Sequence, residues 1–463
     1  MTLKLGAHLR NVAVPANLRI NDQITECREC CQTCHCTGPF SHLAFGQSPF
    51  PPPPTVVDAL AVHAAECSYL PTAGLPQLRE AVADFYRRHF GLDCTAGQVV
   101  VSPGSKEMIS VSLAVLEGAV ILPTPSWVSY GPQARILEKP VISIRTRWKD
   151  DFKLTPELLG EAIRNGPTGQ KILLLNHPHN PTGAVYTEDE LRALADVCRQ
   201  GDVVVIADEI YALTSFDLER FTSMGKVYPE GTIVTGGLSK DRSLGGYRFG
   251  VGIFPEKPEE LVQDILKLAG ATYSCVAAPI QYAAIEAYSG SDEVEEHIRD
   301  CRTVNALVGR NMAARIRDIP GVRTTEPKGG FYLYVDFNED RERFLQVGLE
   351  TCADFTRHLL EIGHTSLLPA SALLLPEDDF SVRCSYVDYD GGAALESWRE
   401  ARPQSTREEE AFFRRFCPSL VEGASRIALY LDQIRKGQQP LHWPAEERLC
   451  SEHGQAGCSC RRV

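Results

Sequence analysis

Residues 203–211 read Val-Val-Val-Ile-Ala-Asp-Glu-Ile-Tyr, a short apolar run that ends in polar residues. The same arrangement occurs at 172–183, Ile-Leu-Leu-Leu-Asn-His-Pro-His-Asn-Pro-Thr-Gly, and at 232–240, Thr-Ile-Val-Thr-Gly-Gly-Leu-Ser-Lys. Continuous apolar runs of this length are typical of parallel strands that helices cover on both faces. Ligands of open α/β sheets bind at the carboxyl ends of such strands. The polar residues that follow the three runs are therefore expected along one edge of a sheet.

The surrounding chain alternates in the same way from about residue 43 to residue 290. Further strands are predicted at 99–101 and 120–122, and amphipathic helices at 75–90, 105–116 and 188–199. Thr187 followed by Glu190 is typical of a capping box at the start of the last helix. This alternation predicts an α/β fold whose large domain has a mostly parallel sheet flanked by helices.

The pattern changes from about residue 295 to that of a smaller α+β domain. Helices are predicted at 294–319, 351–362 and 412–435, strands at 331–336 and 380–386, and a loop or insertion in the acidic segment 388–410. The domain prediction is a Cys-rich N-terminal arm at 1–42, a large domain at 43–294, a small domain at 295–435 and a flexible tail at 436–463. In an alternative form of this prediction, the first 20 or so residues of the large domain pack with the small domain.

The composition excludes several classes of protein. The chain has 463 residues, of which 43% are hydrophobic and 23% charged, and these values are typical of globular proteins rather than disordered ones. Its 47 basic and 60 acidic residues give a net charge of −13, which argues against nucleic acid and anionic membrane surfaces as partners. No apolar run reaches the roughly 18–20 residues that span a bilayer.

The predicted sheet edge brings together a carboxylate, a phenol, an amide, an amine and a guanidinium. Asp208 and Tyr211 follow one strand, Asn180 follows another, and Lys240 follows the third with Arg248 eight residues later. A pyridine cofactor that carries a phosphate needs such a set of groups.

Three of these motifs, Asn-Pro-Thr-Gly at 180–183, Asp-x-x-Tyr at 208–211 and Ser-Lys at 239–240 with an arginine at 248, resemble the class I and II aminotransferases. These are pyridoxal phosphate (PLP) enzymes of fold type I, and the motifs stand here in the family order. Further matching segments are 46–52, 69–74 before 78–79, 102–106 and 125–130. The resemblance covers residues 43–290 well and residues 295–386 more loosely.

The resemblance implies a role for each residue around the cofactor ring. Lys240 would hold PLP as a Schiff base and then act as the base at the substrate Cα. Asp208 would pair with the pyridine nitrogen, which makes the ring an electron sink. Tyr211 and Asn180 would hydrogen-bond the phenolic oxygen, and Trp127 would stack on the ring face. Lys240, Asp208 and Tyr211 are thus the expected catalytic residues.

A phosphate site is implied at the start of a helix, where free backbone N–H groups and the helix dipole favour an anion. Its expected members are Gly104, Ser105, Lys106, Ser239 and Arg248. The family often has a serine where this chain has Gly237, so one phosphate contact is expected to be lost or replaced by Ser239 or Thr235.

The resemblance also implies a homodimer with shared active sites, because the family's tyrosine that matches Tyr69 reaches the phosphate of the neighbouring subunit. Arg383 matches the strand arginine that binds the substrate α-carboxylate, and Gly46 and Asn180 would line the same pocket. The side-chain pocket stays unassigned, since the segment 271–279 contains no arginine.

The function implied is transfer of an amino group between an L-amino acid and a 2-oxo acid through a pyridoxamine half-reaction. A PLP-dependent lyase or synthase remains an alternative, because the fate of the carbanion depends on pocket groups that the sequence does not place. A regulator that carries this domain without catalysis is a further alternative, although the roughly 42 residues before the domain lack a basic helix-turn-helix.

The cysteines leave a second question open. Five of the 16 lie between Cys27 and Cys36 and three between Cys450 and Cys460, with spacings that allow a metal site, disulfides or free thiols. No residue is assigned as a metal ligand. The expected location is cytoplasmic, and organelle targeting by the N-terminal segment stays an alternative, since Lys4, Arg10 and Arg19 precede its first acidic residue.

Overall fold

A computed structural model of the chain describes residues 40–438 together with residues 12, 19, 20, 22 and 24. Its strands are β1 (Ser41–His42), β2 (Val99–Ser102), β3 (Ala119–Thr124), β4 (Val141–Arg145), β5 (Lys171–Asn176), β6 (Val203–Asp208), β7 (Thr232–Gly237), β8 (Gly250–Ile253), β9 (Arg323–Thr324), β10 (Tyr332–Asp336), β11 (Thr365–Ser366), β12 (Leu368–Pro369) and β13 (Ser381–Ser385).

The helices are α1 (Pro54–Val62), α2 (Pro76–Phe90), α3 (Ser105–Val115), α4 (Tyr130–Ile136), α5 (Pro156–Asn165), α6 (Glu188–Gln200), α7 (Met224–Val227), α8 (Glu259–Thr272), α9 (Ala278–Tyr288), α10 (Asp292–Arg317), α11 (Arg341–Gln346), α12 (Cys352–Gly363), α13 (Gly391–Glu400), α14 (Thr406–Phe416) and α15 (Pro418–Arg435). Five of the helices begin and end within two residues of the predictions at 75–90, 105–116, 188–199, 294–319 and 351–362. The capping box of α6 is confirmed, because the Thr187 and Glu190 side chains each bind the other residue's backbone N–H.

The largest sheet has seven strands in the order β2-β8-β7-β6-β5-β3-β4. Strands β3 to β7 pair in parallel, which confirms the predicted mostly parallel sheet. Strand β8 is antiparallel to both β2 and β7 and was not predicted. Its Gly250 and Gly252 give a weak strand signal, yet helix α3 needs them. A Cβ on Gly250 would lie 2.2 Å from the Ser105 amide nitrogen.

A second sheet is antiparallel, in the order β12-β13-β10-β9, and β1 pairs in parallel with β11. Residues Leu43, Ala44 and Phe50 share a hydrophobic core with β10 and β13. The predicted domain boundary between residues 294 and 295 lies within helix α10. The division of the chain into two domains stays a prediction.

Two predictions for the C-terminal part are wrong. The acidic segment 388–410 is not a loop, because it contains α13, which buries Ala394, Leu395 and Trp398 between its charged residues. The single helix predicted at 412–435 is two helices. The chain breaks at Cys417, and Pro418, which lacks an N–H, begins α15.

Several predictions concern residues outside the described part of the chain: the Cys27–Cys36 and Cys450–Cys460 clusters, the N-terminal targeting segment and the tail from residue 439. The eight cysteines within residues 40–438 are free thiols. No described helix combines the length and apolar character that crossing a membrane requires.

Helix α13 holds the segment that contains Gly46. Gly391, at its first turn, packs so closely on Pro49 that a Cβ would lie 2.4 Å from the Pro49 carbonyl oxygen. Phe50 packs edge-on against Tyr389, with ring centroids 6.0 Å apart. The helix that follows β13 therefore fixes the backbone just after Gly46.

Substitution Gly391→Ala is expected to lower the free energy of unfolding by about 1–3 kcal/mol, because backbone atoms must move apart to admit the methyl group. Gly392→Ala is the matched control, since its Cβ would meet only the Asp390 Oδ1, at 3.4 Å. In the control, alanine should be neutral or stabilise the helix by up to about 1 kcal/mol. Denaturant unfolding of both variants measures the difference, and equal stabilities would contradict the close packing.

Candidate active site

The carboxyl ends of β5, β6 and β7 lie side by side, as the sequence predicts. In the sheet register, Asn176 is paired with Asp208, and Asp208 with Thr235. The Asn176 side chain joins two of these ends, since its Nδ2 donates to the Asp208 carbonyl at 2.8 Å and its Oδ1 accepts from the Asn180 N–H at 2.6 Å. The turn that carries Asn180 is thereby fixed against β6.

Asp208 is buried with few polar partners. Its Oδ2 accepts a hydrogen bond from the Tyr130 hydroxyl at 2.5 Å, and its Oδ1 accepts one from the Ile210 N–H at 3.3 Å. Burial raises the pKa of this carboxyl from 3.8 to about 6, although the two hydrogen bonds and the charge of Lys240 oppose the rise. A cationic partner at this position would restore the carboxylate.

Lys240 follows β7, and its side chain extends toward the backbone of Gly46. Its Nζ donates to the Gly46 carbonyl oxygen at 2.8 Å and lies 5.5 Å from the Tyr211 ring centroid and 5.9 Å from that of Phe331. Burial lowers the pKa of Lys240, and the charge of Arg383 acts in the same direction. A lysine in these surroundings is more readily converted to its nucleophilic neutral form.

The start of helix α3 forms the cationic end of the site. Gly104 precedes it with a φ of +94°, and a Cβ there would lie 2.2 Å from the Arg248 Nη2. The Arg248 guanidinium therefore sits directly on the helix start, held by the Gly245 and Pro103 carbonyls at 2.9 and 3.3 Å. The first N–H groups of an α-helix, here from Ser105 and Lys106, have no acceptor within the helix.

Lys106 and Trp127 lie next to this helix start. The Lys106 Nζ is 5.1 Å from the Trp127 ring centroid, and Trp127 contacts Tyr130 edge-on, with centroids 5.1 Å apart. Lys106 is exposed, but partial desolvation by its neighbours lowers its pKa, and the charges of Arg248 and Lys240 lower it further. The three cations are thus close enough to repel one another.

Arg383, on β13, faces the turn after β5. Its Nη1 donates to the Asn180 Oδ1 at 3.2 Å and its Nη2 to the Ala44 carbonyl at 2.7 Å, while its buried Nε has no partner. The guanidinium carbon lies 4.3 Å from the Tyr332 ring centroid. The structure therefore brings Arg383, Asn180 and Lys240 together, as expected from the sequence.

Two predicted residues make no side-chain contact with this group. Tyr69 is 92% exposed. Ser239 is half-buried next to Lys240, and its hydroxyl makes no hydrogen bond within the described residues. A Cβ on Gly237 would lie 2.6 Å from the Phe249 carbonyl, so β8 leaves no room for the family's serine. Thr235 does not replace it, since its hydroxyl faces the Ala207 carbonyl at 3.5 Å.

Sequence reasoning missed three residues of this site: Asn176, Tyr130 and Tyr332. Asn176 and Tyr130 stand inside motifs that were used, but no local signal shows that both contact Asp208. Tyr332 donates to or accepts from the Tyr211 hydroxyl at 2.9 Å across 121 positions of sequence. Only its place in an alternating strand signalled that it is buried.

Four cations of the site lack an anionic partner. They are Lys106, Lys240, Arg248 and Arg383, and within residues 40–438 none of them forms an ion pair with a carboxylate. Such a cluster fits a ligand with several negative charges. PLP has a phosphate for the helix start, an aldehyde for an amine and a ring nitrogen for a carboxylate, so the residues present fit this cofactor.

Comparisons with known proteins identify the family of the chain. Residues 40–388 match the family described as aminotransferase class I and II. Over 355 residues the chain is 33% identical to an aspartate aminotransferase of Geobacillus stearothermophilus, covering 74% of this chain and 86% of that one. An asparagine–oxo-acid transaminase of Streptococcus mutans is 30% identical over 359 residues, with the same two coverages.

A solved structure supports the same fold. The aspartate aminotransferase of Thermus thermophilus with maleate superposes with a TM-score of 0.76, covering 92% of this chain and 99% of that one. The sequence identity is 24%, so this likeness is one of fold.

The raised pKa of Asp208 predicts a pH-dependent stability of the cofactor-free protein. The folded chain holds this proton up to a pH of about 6, against 3.8 ordinarily. The carboxyl therefore reduces the free energy of unfolding as pH rises through this window, by about 3 kcal/mol in all.

Asp208→Asn removes this titration. Between about pH 4 and pH 7 the free energy of unfolding of the variant is expected to rise relative to that of the wild type, by up to about 3 kcal/mol. Urea unfolding of both cofactor-free proteins measures this difference. Asn also removes the Asp208 charge that raises the pKa of the adjacent Glu209, so Glu209 contributes to the difference, whereas titrating groups far from Asp208 cancel. A difference that stays constant over this range would contradict the raised pKa.

Proposed function

This chain belongs to the class I and II aminotransferases and is a PLP-dependent aminotransferase, and from that premise we propose which residues carry the reaction and which donor it uses. The observation that carries the proposal is the group of four cations without carboxylate partners around one buried carboxyl. The lyase and regulator alternatives are set aside, because the relatives found are aminotransferases.

When bound, PLP supplies an electron sink that stabilises the carbanion left when an amino acid loses its Cα proton. Asp208 is proposed to pair with the ring nitrogen, and Tyr130 holds its carboxylate in place. The adjacent Glu209 is engaged elsewhere, since its Oε1 accepts from the Ser223 hydroxyl and the Met224 N–H. Asp208 is therefore the acid that can face a ring nitrogen.

Lys240 is the amine that would hold the cofactor, and the same amine is proposed to move the proton at the substrate Cα. Its lowered pKa favours the neutral amine that both tasks need. Tyr211 and Asn180 are proposed to hydrogen-bond the phenolic oxygen, and Trp127 to stack on the ring.

The phosphate is proposed to bind at the start of α3, held by the Gly104 and Ser105 backbone, Ser239 and Arg248. Tyr69 is proposed to reach the phosphate of a second copy of the chain, which makes the active form a homodimer with shared sites. Its 92% exposure leaves it available for that contact.

Arg383 is proposed to bind the α-carboxylate of an L-amino acid, in a pocket that Gly46 and Asn180 complete. Its Nη groups are held by Asn180 and Ala44, and its Nε is buried without a partner. A carboxylate would supply that partner and neutralise the guanidinium.

The amino donor is proposed to be a short dicarboxylic amino acid such as aspartate. The relatives described above are named for aspartate or asparagine. A second carboxylate needs a second cation, and Lys240, Arg248 and Arg383 already have proposed roles. Lys106 is the remaining cation, so we assign it to the side-chain carboxylate as well as to the positive field at the helix start.

Lys240→Ala is expected to fold, to lose turnover and to lose the visible absorption of covalently held cofactor. The physical reason is that no other amine is placed at this position. Lys267→Ala is the matched control, because Lys267 lies on the surface and pairs with Asp264. Normal turnover in the Lys240 variant would refute the assignment of the site.

Lys106→Met is expected to lower kcat/KM for aspartate roughly ten- to hundred-fold, as for the loss of a charge-assisted hydrogen bond. For alanine, which has no second carboxylate, the change should stay within about three-fold. Steady-state kinetics with both donors measure the ratio. An equal loss for both would assign Lys106 to the cofactor alone.

A further inference from the structure

Tyr332, on β10, lies where the proposed catalytic and substrate-binding residues meet. It is 3% exposed, its hydroxyl oxygen is 2.9 Å from that of Tyr211, and its ring centroid is 4.3 Å from the Arg383 guanidinium carbon. A Cβ on Gly46 would lie 1.9 Å from the Tyr332 hydroxyl oxygen, so only a glycine leaves room for this hydroxyl.

We propose that Tyr332 is a positioning residue that acts through two neighbours. Its hydroxyl orients and polarises that of Tyr211, and its ring holds the Arg383 guanidinium in the plane that receives a carboxylate. This inference rests on the roles proposed above for Tyr211 and Arg383.

The ring is the support on which Arg383 lies. Two of the guanidinium nitrogens donate to Asn180 and Ala44, and the guanidinium carbon lies over the aromatic face, 4.3 Å from its centroid. A cation over an aromatic face is attracted by the ring quadrupole, more strongly where water is excluded. Without the ring, the guanidinium would tilt and lose its bidentate geometry for a carboxylate.

The hydroxyl acts on Tyr211 through a shared hydrogen bond. The titratable groups facing Tyr332 are Tyr211, Lys240, Arg383 and Tyr386. The two cations lower the pKa of Tyr332 despite its burial, and a more acidic hydroxyl is a better donor. When the Tyr211 proton is directed at the cofactor, Tyr332 can donate to the Tyr211 oxygen and strengthen that donation.

Tyr332→Phe removes the hydroxyl and keeps the ring. In the holoenzyme, a weaker Tyr211 donor should raise the pH midpoint of the bound cofactor's visible absorption change by roughly half a unit. A midpoint within about 0.2 unit of the wild type would overturn the role of the hydroxyl.

Tyr332→Leu removes both hydroxyl and ring. Maleate, a dicarboxylate without an amino group, should bind the holoenzyme of this variant roughly five-fold more weakly than that of Tyr332→Phe, because Arg383 loses its aromatic support. Equal dissociation constants for the two variants would overturn the role of the ring.

Tyr334→Phe is the matched control. Tyr334 is equally buried on the same strand, but its ring packs on Phe152, with centroids 4.8 Å apart. Tyr334→Phe should leave both the pH midpoint and the dissociation constant of maleate unchanged. A shift like that of Tyr332→Phe would mean that loss of any buried hydroxyl on this strand has the same effect, which would overturn the specific role of Tyr332. Absence of maleate binding by the wild type would count against the dicarboxylate proposal, while the pH titration, which needs no carboxylate, still decides the role of the hydroxyl.

Discussion

Like charges held close together without counter-ions are the constraint on which this site depends. The pKa of the half-buried Lys240 is lowered, and its neighbours Lys106, Arg248 and Arg383 bind only carbonyl or amide oxygens or aromatic rings within the described residues. Holding the half-buried Lys240 near the buried Arg383 costs folding free energy, which the rest of the protein must supply. The same arrangement favours a ligand with several negative charges, such as PLP together with a carboxylate substrate.

Close backbone packing at several glycines places the elements that carry these cations around the site. Gly250 lets α3 lie against β8 so that the helix start points into the site, and Gly237 admits β8 beside β7. On the opposite side, Gly391 lets α13 press on Pro49 and thereby fixes the backbone that accepts the Lys240 hydrogen bond. These glycines thus allow the close backbone approaches around the site.

The sequence was informative where structure and chemistry are local. The apolar runs predicted β5, β6 and β7, and the residues that follow them predicted the shared edge with Asp208 and Lys240. Strand β8 was not predicted, because its glycines make room for a neighbouring helix and give little strand signal. Helix α13 was not predicted, because its few buried residues stand among charged ones. The contact of Tyr332 with Tyr211 joins strands far apart in sequence, and no local pattern reports such a pairing.

The visible absorption spectrum of the purified protein, recorded before and after L-aspartate is added, tests the proposed site and donor most directly. The prediction is that the band of the bound cofactor is lost with aspartate and returns when a 2-oxo acid is added, while alanine acts much more weakly. A band that persists with aspartate but is lost with a monocarboxylic amino acid would contradict the proposed donor. The absence of any band after reconstitution with PLP would contradict the assignment of the site itself.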